Sequence, residues 1–197
     1  MGLWVGGHWP LDEKLRAKDV YSEAFYRGRC VGLAELHLTF KDGRSEILGT
    51  DDTWQTSMSP IEISSVFDGE YYDARKEQAG WNAPGFNSKE WKNAVLAKEP
   101  LGKLVYSYTP AIRVVEELKP QKIWKQGESW MVDFGQNFTG WVRLSIEEKE
   151  GTLIKLRHGE VIYPDGSLNV ENLRFAKATD VYICKGGEEY YEPRFTY

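Results

Sequence analysis

Five carboxylates stand where the chain concentrates its polar chemistry. Glu70 and Asp73 lie in Asp68-Gly69-Glu70-Tyr71-Tyr72-Asp73-Ala74-Arg75, Asp133 precedes a glycine-bracketed corner, Glu160 follows His158-Gly159, and Asp180 sits near the C-terminal end. Two carboxyl groups facing each other across a cleft can hydrolyse a glycosidic bond. One protonates the leaving oxygen and the other activates water or attacks carbon. The spacing does not show that any two of the five face each other. The commoner use of such a residue is to cap a turn or to pair with Arg75, Arg143 or Arg157, and the sequence favours that use.

Other residue types allow other chemistry. Asp51 and Asp52, with loop carbonyls, offer hard oxygen ligands for calcium. No EF-hand spacing accompanies them, and Asp-Asp before Thr53 equally makes a turn or a cap. His8, His37 and His158 form no His-x-x-His pattern, and Cys30 and Cys184 form no Cys-x-x-Cys, so a zinc site is not expected. His158 reads as a hydrogen-bonded strand residue. No Gly-x-Ser-x-Gly and no phosphate-binding glycine loop occurs. Trp4, Trp9, Trp54, Trp81 and Trp91 are candidates for stacking on a sugar ring. Trp81, with Asn82 and Asn87 in a Gly/Pro loop, is the best placed of them. The competing use of these rings is to plug the open end of a sandwich.

These residues have to be held by strands. From Glu128 to Val161 the chain reads as a strand, a tight corner and a hairpin. Val142, Leu144 and Ile146 fall on one face, and Ile154 and Leu156 on one face after the turn at Gly151. A period of two is what half-buried strands require. Gly135 and Gly140 bracket Gln136 and Asn137, so the corner needs backbone freedom. Upstream, Leu36, Leu38 and Phe40 share a face, and Asp42-Gly43 turns the chain back through residues 45–49. Further strands are expected around Ile61 and Ile63, from Val95 to Pro100, and over Asp180 to Cys184. Residues 104–120 form a connector. The expected class is all-β, with two jelly-roll-like β-sandwich modules at 1–107 and 108–197. Both read as incomplete, because the first has few strands and the chain stops inside an aromatic strand pattern.

Composition narrows the partners. A net charge of -5 argues against nonspecific binding to nucleic acid. No apolar run reaches the roughly 18 residues of a membrane span, so no membrane insertion is expected. The N-terminus lacks the basic region and small-residue site of a signal peptide. Two thiols far apart in sequence read as unpaired and buried rather than as a disulfide.

Asp133-Phe134-Gly135-Gln136-Asn137-Phe138-Thr139-Gly140-Trp141 resembles the DFGQN-x-x-GW signature of bacterial α-L-rhamnosidases. Arg157-His158-Gly159-Glu160, Pro164-Asp165-Gly166, Asn172-Leu173-Arg174, Ala178-Thr179-Asp180-x-Tyr182 and Glu192-Pro193-Arg194-Phe195-Thr196-Tyr197 follow in that family's order. Gly69-Glu70-x-Tyr72-Asp73-Ala74-Arg75, Gly80-Trp81, Trp91 and Asp51-x-x-Trp54 are similar to its N-terminal module. The resemblance implies β-sandwich modules ahead of an α/α-barrel that carries the catalytic acids. It therefore implies no catalytic residue here, a rhamnose-containing glycan and the parent's barrel as partners, and a periplasmic or secreted parent, with the cytoplasm as the alternative. No cofactor is required and Ca2+ is an optional ligand. From residue chemistry rather than from the resemblance, the expected sugar-facing residues are Trp81, Asn82 and Trp54, and the expected metal ligands Asp51 and Asp52. The motif residues Glu70, Asp73, Arg75, Asp133, Gln136, Asn137, Trp141 and Glu160 are expected to hold the fold. Among them Gln136 and Asn137 would satisfy backbone groups at the corner, Trp141 would close the core, and Glu70, Asp73 and Arg75 would form an ion-pair set at a sheet edge. The alternative reading is a stand-alone module that binds rhamnose-containing glycans.

Overall fold

The computed structural model describes residues 31–98, 105–106 and 108–194. The readings placed on Trp4, His8, Trp9, Cys30 and residues 195–197 lie outside them. The strands are β1 (Glu35–Thr39), β2 (Ser45–Gly49), β3 (Gln55–Thr56), β4 (Ile61–Ser65), β5 (Gly69–Asp73), β6 (Lys92–Asn93) and β7 (Lys122–Gln126). They continue with β8 (Ser129–Asp133), β9 (Leu144–Glu148), β10 (Leu153–Arg157), β11 (Val161–Ile162), β12 (Leu168–Asn169), β13 (Thr179–Ile183) and β14 (Gly187–Tyr191). Two single 3-10 turns, Ala74–Lys76 and Glu171–Leu173, are the only helical pieces among the described residues. The fold is all-β, as the alternating pattern predicts. Among the described residues no helix is long and apolar enough to cross a membrane.

The chain forms two compact units. Of the described residues, 31–59, 76–98 and 105–106 belong to the first, and 60–75 and 108–194 to the second. This partition does not coincide with a split at residue 107, because residues 60–75 are hydrogen-bonded into the second unit.

In the first unit β1 and β2 make the expected hairpin, with Glu35 opposite Gly49 and Thr39 opposite Ser45. Gly43 closes its turn at φ +87°, a conformation that a side chain resists. β3 pairs antiparallel with β6. Over the described residues 95–98 the strand expected from Val95 to Pro100 is not formed. Val95 and Leu96 are exposed and follow β6 as irregular chain.

The second unit has two layers. A four-stranded sheet runs β10-β13-β5-β4, with β13 and β5 parallel and the other neighbours antiparallel. β9 and β14 pair antiparallel as the facing layer. Period-two spacing fixes what points inward. Ile61, Tyr72, Tyr182 and Ile154 sit side by side across the sheet, and Leu144, Ile146 and Tyr191 meet them from the other layer. Tyr72 stacks on Tyr182 at 5.6 Å between ring centroids, and Tyr182 lies 4.5 Å from Tyr191. Each buried ring contributes about 1.5–3 kcal/mol provided its hydroxyl finds a partner.

The hairpin expected across Gly151 is corrected here. β9 and β10 are consecutive, yet each pairs with a different strand: β9 with β14, β10 with β13. The turn at Gly151 carries the chain from one layer to the other. Its N–H donates to the Cys184 carbonyl at 2.8 Å, and the Cys184 N–H donates to Thr152 at 2.9 Å. Gly186 and Gly187 carry the chain back between β13 and β14 with φ values of +101° and +87°. Alternation determines which face of a strand is apolar but not which strand pairs with it. Leu144 and Ile146 face Ile154 and Leu156 across the core instead of lying beside them in one sheet.

Candidate functional site

The inward rows that carry tyrosines also carry the charges. Glu70 precedes Tyr72 by two residues, Asp180 precedes Tyr182 by two, His158 follows Leu156 by two, and Glu189 precedes Tyr191 by two. Each polar residue therefore points into the same interior as its apolar neighbour. Glu70 is 1% exposed and Asp180 is fully buried.

A bonded network holds them. The Glu70 backbone N–H donates to Asp180 Oδ1 at 2.9 Å, and His158 Nε2 lies 3.0 Å from Asp180 Oδ2. Glu70 Oε1 accepts from the Arg194 guanidinium at 2.8 Å and from the Tyr191 hydroxyl at 3.2 Å. Arg194 also lies over the Tyr72 ring, 4.9 Å from its centroid. Glu70 Oε2 is the one buried side-chain polar atom among the described residues that has no hydrogen-bond partner. Burial pushes the Glu70 carboxyl above its usual range, against the opposing pull of Arg194 and Tyr191. Burial, and then the Glu70 and Asp180 charges, push the Tyr191 hydroxyl up as well.

A second buried carboxylate behaves in the opposite way. Burial raises Glu189, but the Tyr182 hydroxyl at 2.7 Å and the N–H groups of Lys185 and Gly186 at 3.1 and 2.9 Å outweigh it. The net effect holds Glu189 below the usual range. It braces the Lys-Gly-Gly turn from inside.

Three readings of the motif residues change. β5 lies inside the sheet, not at an edge, and Arg75 binds only one of the two acids assigned to it. Its guanidinium meets Asp73 through two contacts of 2.8 Å, while Glu70 pairs with Arg194. At the glycine corner the side chains of Gln136 and Asn137 are exposed, and Asp133 does the work expected of them. Its Oδ1 accepts from the Gly135 N–H at 2.7 Å, where Gly135 has φ +78°. Trp141 is half-buried and donates through its indole N–H to Glu192 at 2.6 Å. Arg143 binds the other Glu192 oxygen at 3.1 Å and Glu117 at 3.2 Å. These donors, Trp141 first and then Arg143, hold Glu192 below the usual carboxylate range. Glu160 is exposed beside β11.

The remaining candidates lie in the first unit. Asp51 Oδ1 accepts from the Thr53 hydroxyl at 2.5 Å and from its N–H at 2.9 Å, which holds this carboxyl low. Asp51 thus closes its own turn, and Asp52 is exposed next to it. Among the described residues no three His, Cys, Asp or Glu side chains gather where a metal ion fits. Trp54 is half-buried, with its indole N–H on the Gly49 carbonyl at 3.1 Å. Trp81 is half-buried and Asn82 exposed. Trp91 is fixed by Gln78 at 2.7 Å and by the edge of Phe86.

Sequence reasoning brought Glu70 and Asp180 into one set of acids but missed the partners Tyr191 and Arg194. The signal was present: Glu189, Tyr191 and Pro193 repeat the period of two found at Asp180, Tyr182 and Cys184. Chemically the cluster is a sealed lock between the two layers. Its two acids, Glu70 and Asp180, are 0–1% exposed.

Residues 1–116 match the family model of the α-L-rhamnosidase N-terminal domain, and residues 124–197 that of the bacterial α-L-rhamnosidase concanavalin-like domain. A protein named α-L-rhamnosidase from Streptomyces avermitilis is 39% identical over 175 residues, which is 87% of this chain and 17% of that protein. The structure of α-L-rhamnosidase from Dictyoglumus thermophilum matches with a TM-score of 0.79 at 42% identity, over 83% of this chain and 19% of that one. The Streptomyces avermitilis α-L-rhamnosidase complexed with L-rhamnose matches with a TM-score of 0.80 at 39% identity, over 84% of this chain and 16% of that one. The chain thus spans less than a fifth of the length of these relatives. From its motifs, its strands and these matches, the chain belongs to the bacterial α-L-rhamnosidase family.

Proposed function

We propose that this chain is a non-catalytic β-sandwich part of an α-L-rhamnosidase. The whole enzyme releases terminal α-linked L-rhamnose from glycans or glycosides, with its acids carried elsewhere in the longer polypeptide. One observation carries the reading: Glu70 and Asp180, the two candidate acids that come together, are buried and committed to internal hydrogen bonds. Hydrolysis with inversion needs two carboxyl groups about 6.5–9.5 Å apart with room for a water between them. A sealed lock does not offer that room. Its role is to fix one layer on the other, so that the module presents a rigid face to the rest of the enzyme. The test is turnover of p-nitrophenyl α-L-rhamnopyranoside by the purified 197-residue chain. Release of nitrophenol at the buffer rate is expected. Turnover that persists through purification and disappears in Asp180→Asn would overturn the reading.

A second reading, a module that binds rhamnose-containing glycans, draws on the half-buried Trp81 beside exposed Asn82. Calorimetric titration with L-rhamnose separates the two. Millimolar or tighter binding that a chelator abolishes favours the module with calcium at Asp51 and Asp52. No heat leaves the structural reading standing alone.

A further inference from the structure

The segment Ala111-Ile112-Arg113-Val114-Val115-Glu116-Glu117 has the composition of a strand and the surroundings of none. Val and Ile favour strands because their branched side chains pack on a pleated surface. Yet Ile112 is 77% exposed, Val114 57% and Val115 96%. The segment joins no ladder, and its backbone forms no hydrogen bond with the described residues. A β-prone stretch left in water with unpaired N–H and C=O groups is a template for another strand.

One end of it is fixed in place. Arg143 binds Glu117 through one guanidinium nitrogen at 3.2 Å and Glu192 through another at 3.1 Å. One arginine therefore holds the end of the open segment beside residues 192–194, which follow β14. The matched relatives have more than four-fifths of their length outside the part this chain covers. A strand from the same polypeptide meets its target at an effective concentration of about millimolar through a short linker, well above what a second molecule reaches in dilute solution.

We propose that residues 111–117 are an acceptor strand, completed by a β-strand from the remainder of a longer polypeptide that runs beside Glu117 and Glu192. This rests on reading the chain as part of a longer α-L-rhamnosidase. The two ideas fail separately, since turnover by the short chain would remove that reading without affecting backbone pairing here.

Amide hydrogen exchange tests it, comparing the 197-residue chain with the protein expressed from the complete reading frame that contains it. In the short chain the amides of 111–117 exchange at nearly the rate of an unstructured peptide. In the longer protein alternate amides slow by about 100-fold or more. Proline then replaces Val114 or Val115, whichever amide is protected. It lowers the urea midpoint of the longer protein and leaves that of the short chain unchanged. Equally fast exchange in both proteins, a reading frame that ends at Tyr197, or protection in the short chain that grows with its concentration would each overturn the proposal. The last outcome would make a second copy the occupant.

Discussion

Replacing Arg194 with Met isolates the energetics of the buried lock. The Glu70 side chain is fully buried, and its Oε1 takes 2.8 and 3.2 Å bonds from Arg194 and Tyr191, while Oε2 takes none. Removing one member of a buried ion pair strands the other charge, at a cost of about 3–5 kcal/mol where both partners are enclosed. Arg194 keeps 39% of its side chain in water. Solvent already screens part of the attraction, so the expected loss for Arg194→Met is nearer 2 kcal/mol. Glu70→Gln removes the charge that needs a partner and leaves an exposed-side arginine that water can solvate. It should cost about half as much, and the double variant should be more stable than Arg194→Met alone. The pH dependence follows the same logic. Glu70 titrates higher in the folded chain than in the unfolded one, with burial as the main cause. Its contribution is therefore fully present below the ordinary carboxylate value and is lost as pH rises through the folded value. Without Arg194 that value rises further. Arg194→Met should be most deficient at pH 7 and should approach the parent chain as pH falls toward 5. Urea unfolding followed by tryptophan and tyrosine fluorescence at several pH values gives the cycle. Strictly additive losses, or a deficit that does not change with pH, would refute the argument.

Two further outcomes follow from other contacts. Trp141→Phe removes the strongest donor to Glu192, so its carboxyl should titrate closer to the ordinary range by NMR. Glu192 is held low when folded and supplies stability that is lost as pH falls through its folded value, so the variant should lose less on acidification than the parent chain. Cys184 is fully buried, and burial pushes its thiol up. Its peptide should stay unlabelled by a thiol reagent until denaturant is added, and rapid labelling of the native chain would show that the layers open.

Most of the five-residue strands were legible in the sequence because period-two alternation is a local property, whereas the strand expected from Val95 is absent over residues 95–98. The β1–β2 hairpin was fully legible, since Asp42-Gly43 specifies both the turn and the partner. The second unit was not, and the reason is geometric. A turn such as Lys149-Glu150-Gly151 can close a hairpin within one sheet or carry the chain between two. Both choices bury Leu144, Ile146, Ile154 and Leu156. What decides is the pairing of β10 with β13 and of β13 with β5, across separations of tens to more than a hundred residues. The parallel pairing of residues 71–73 with 181–183 left no local trace at all. It moved residues 60–75 out of the first unit, where chain order had placed them.

The same geometry explains why acids such as Glu70 and Asp180 could be weighed as a catalytic pair although the sequence favoured a structural use. Acids set two residues from a tyrosine, as in Glu70-x-Tyr72, Asp180-x-Tyr182 and Glu189-x-Tyr191, must either enter a cleft or enter the core. Here they enter the core, where the Tyr191 hydroxyl donates to Glu70 and the Tyr182 hydroxyl to Glu189. A buried carboxylate is tolerated only where donors converge on it, so each acid fixes the positions of its donors: Arg194 and Tyr191 for Glu70, His158 for Asp180, and Tyr182 with the Gly186 turn for Glu189. Hydrophobic contact alone lets two layers slide past one another, because its strength depends little on register. Charged hydrogen bonds have one register. The motif therefore specifies how one sheet sits on the other, and a module of that kind can hold residues 192–194 and the open strand at 111–117 in a fixed relation for whatever joins them.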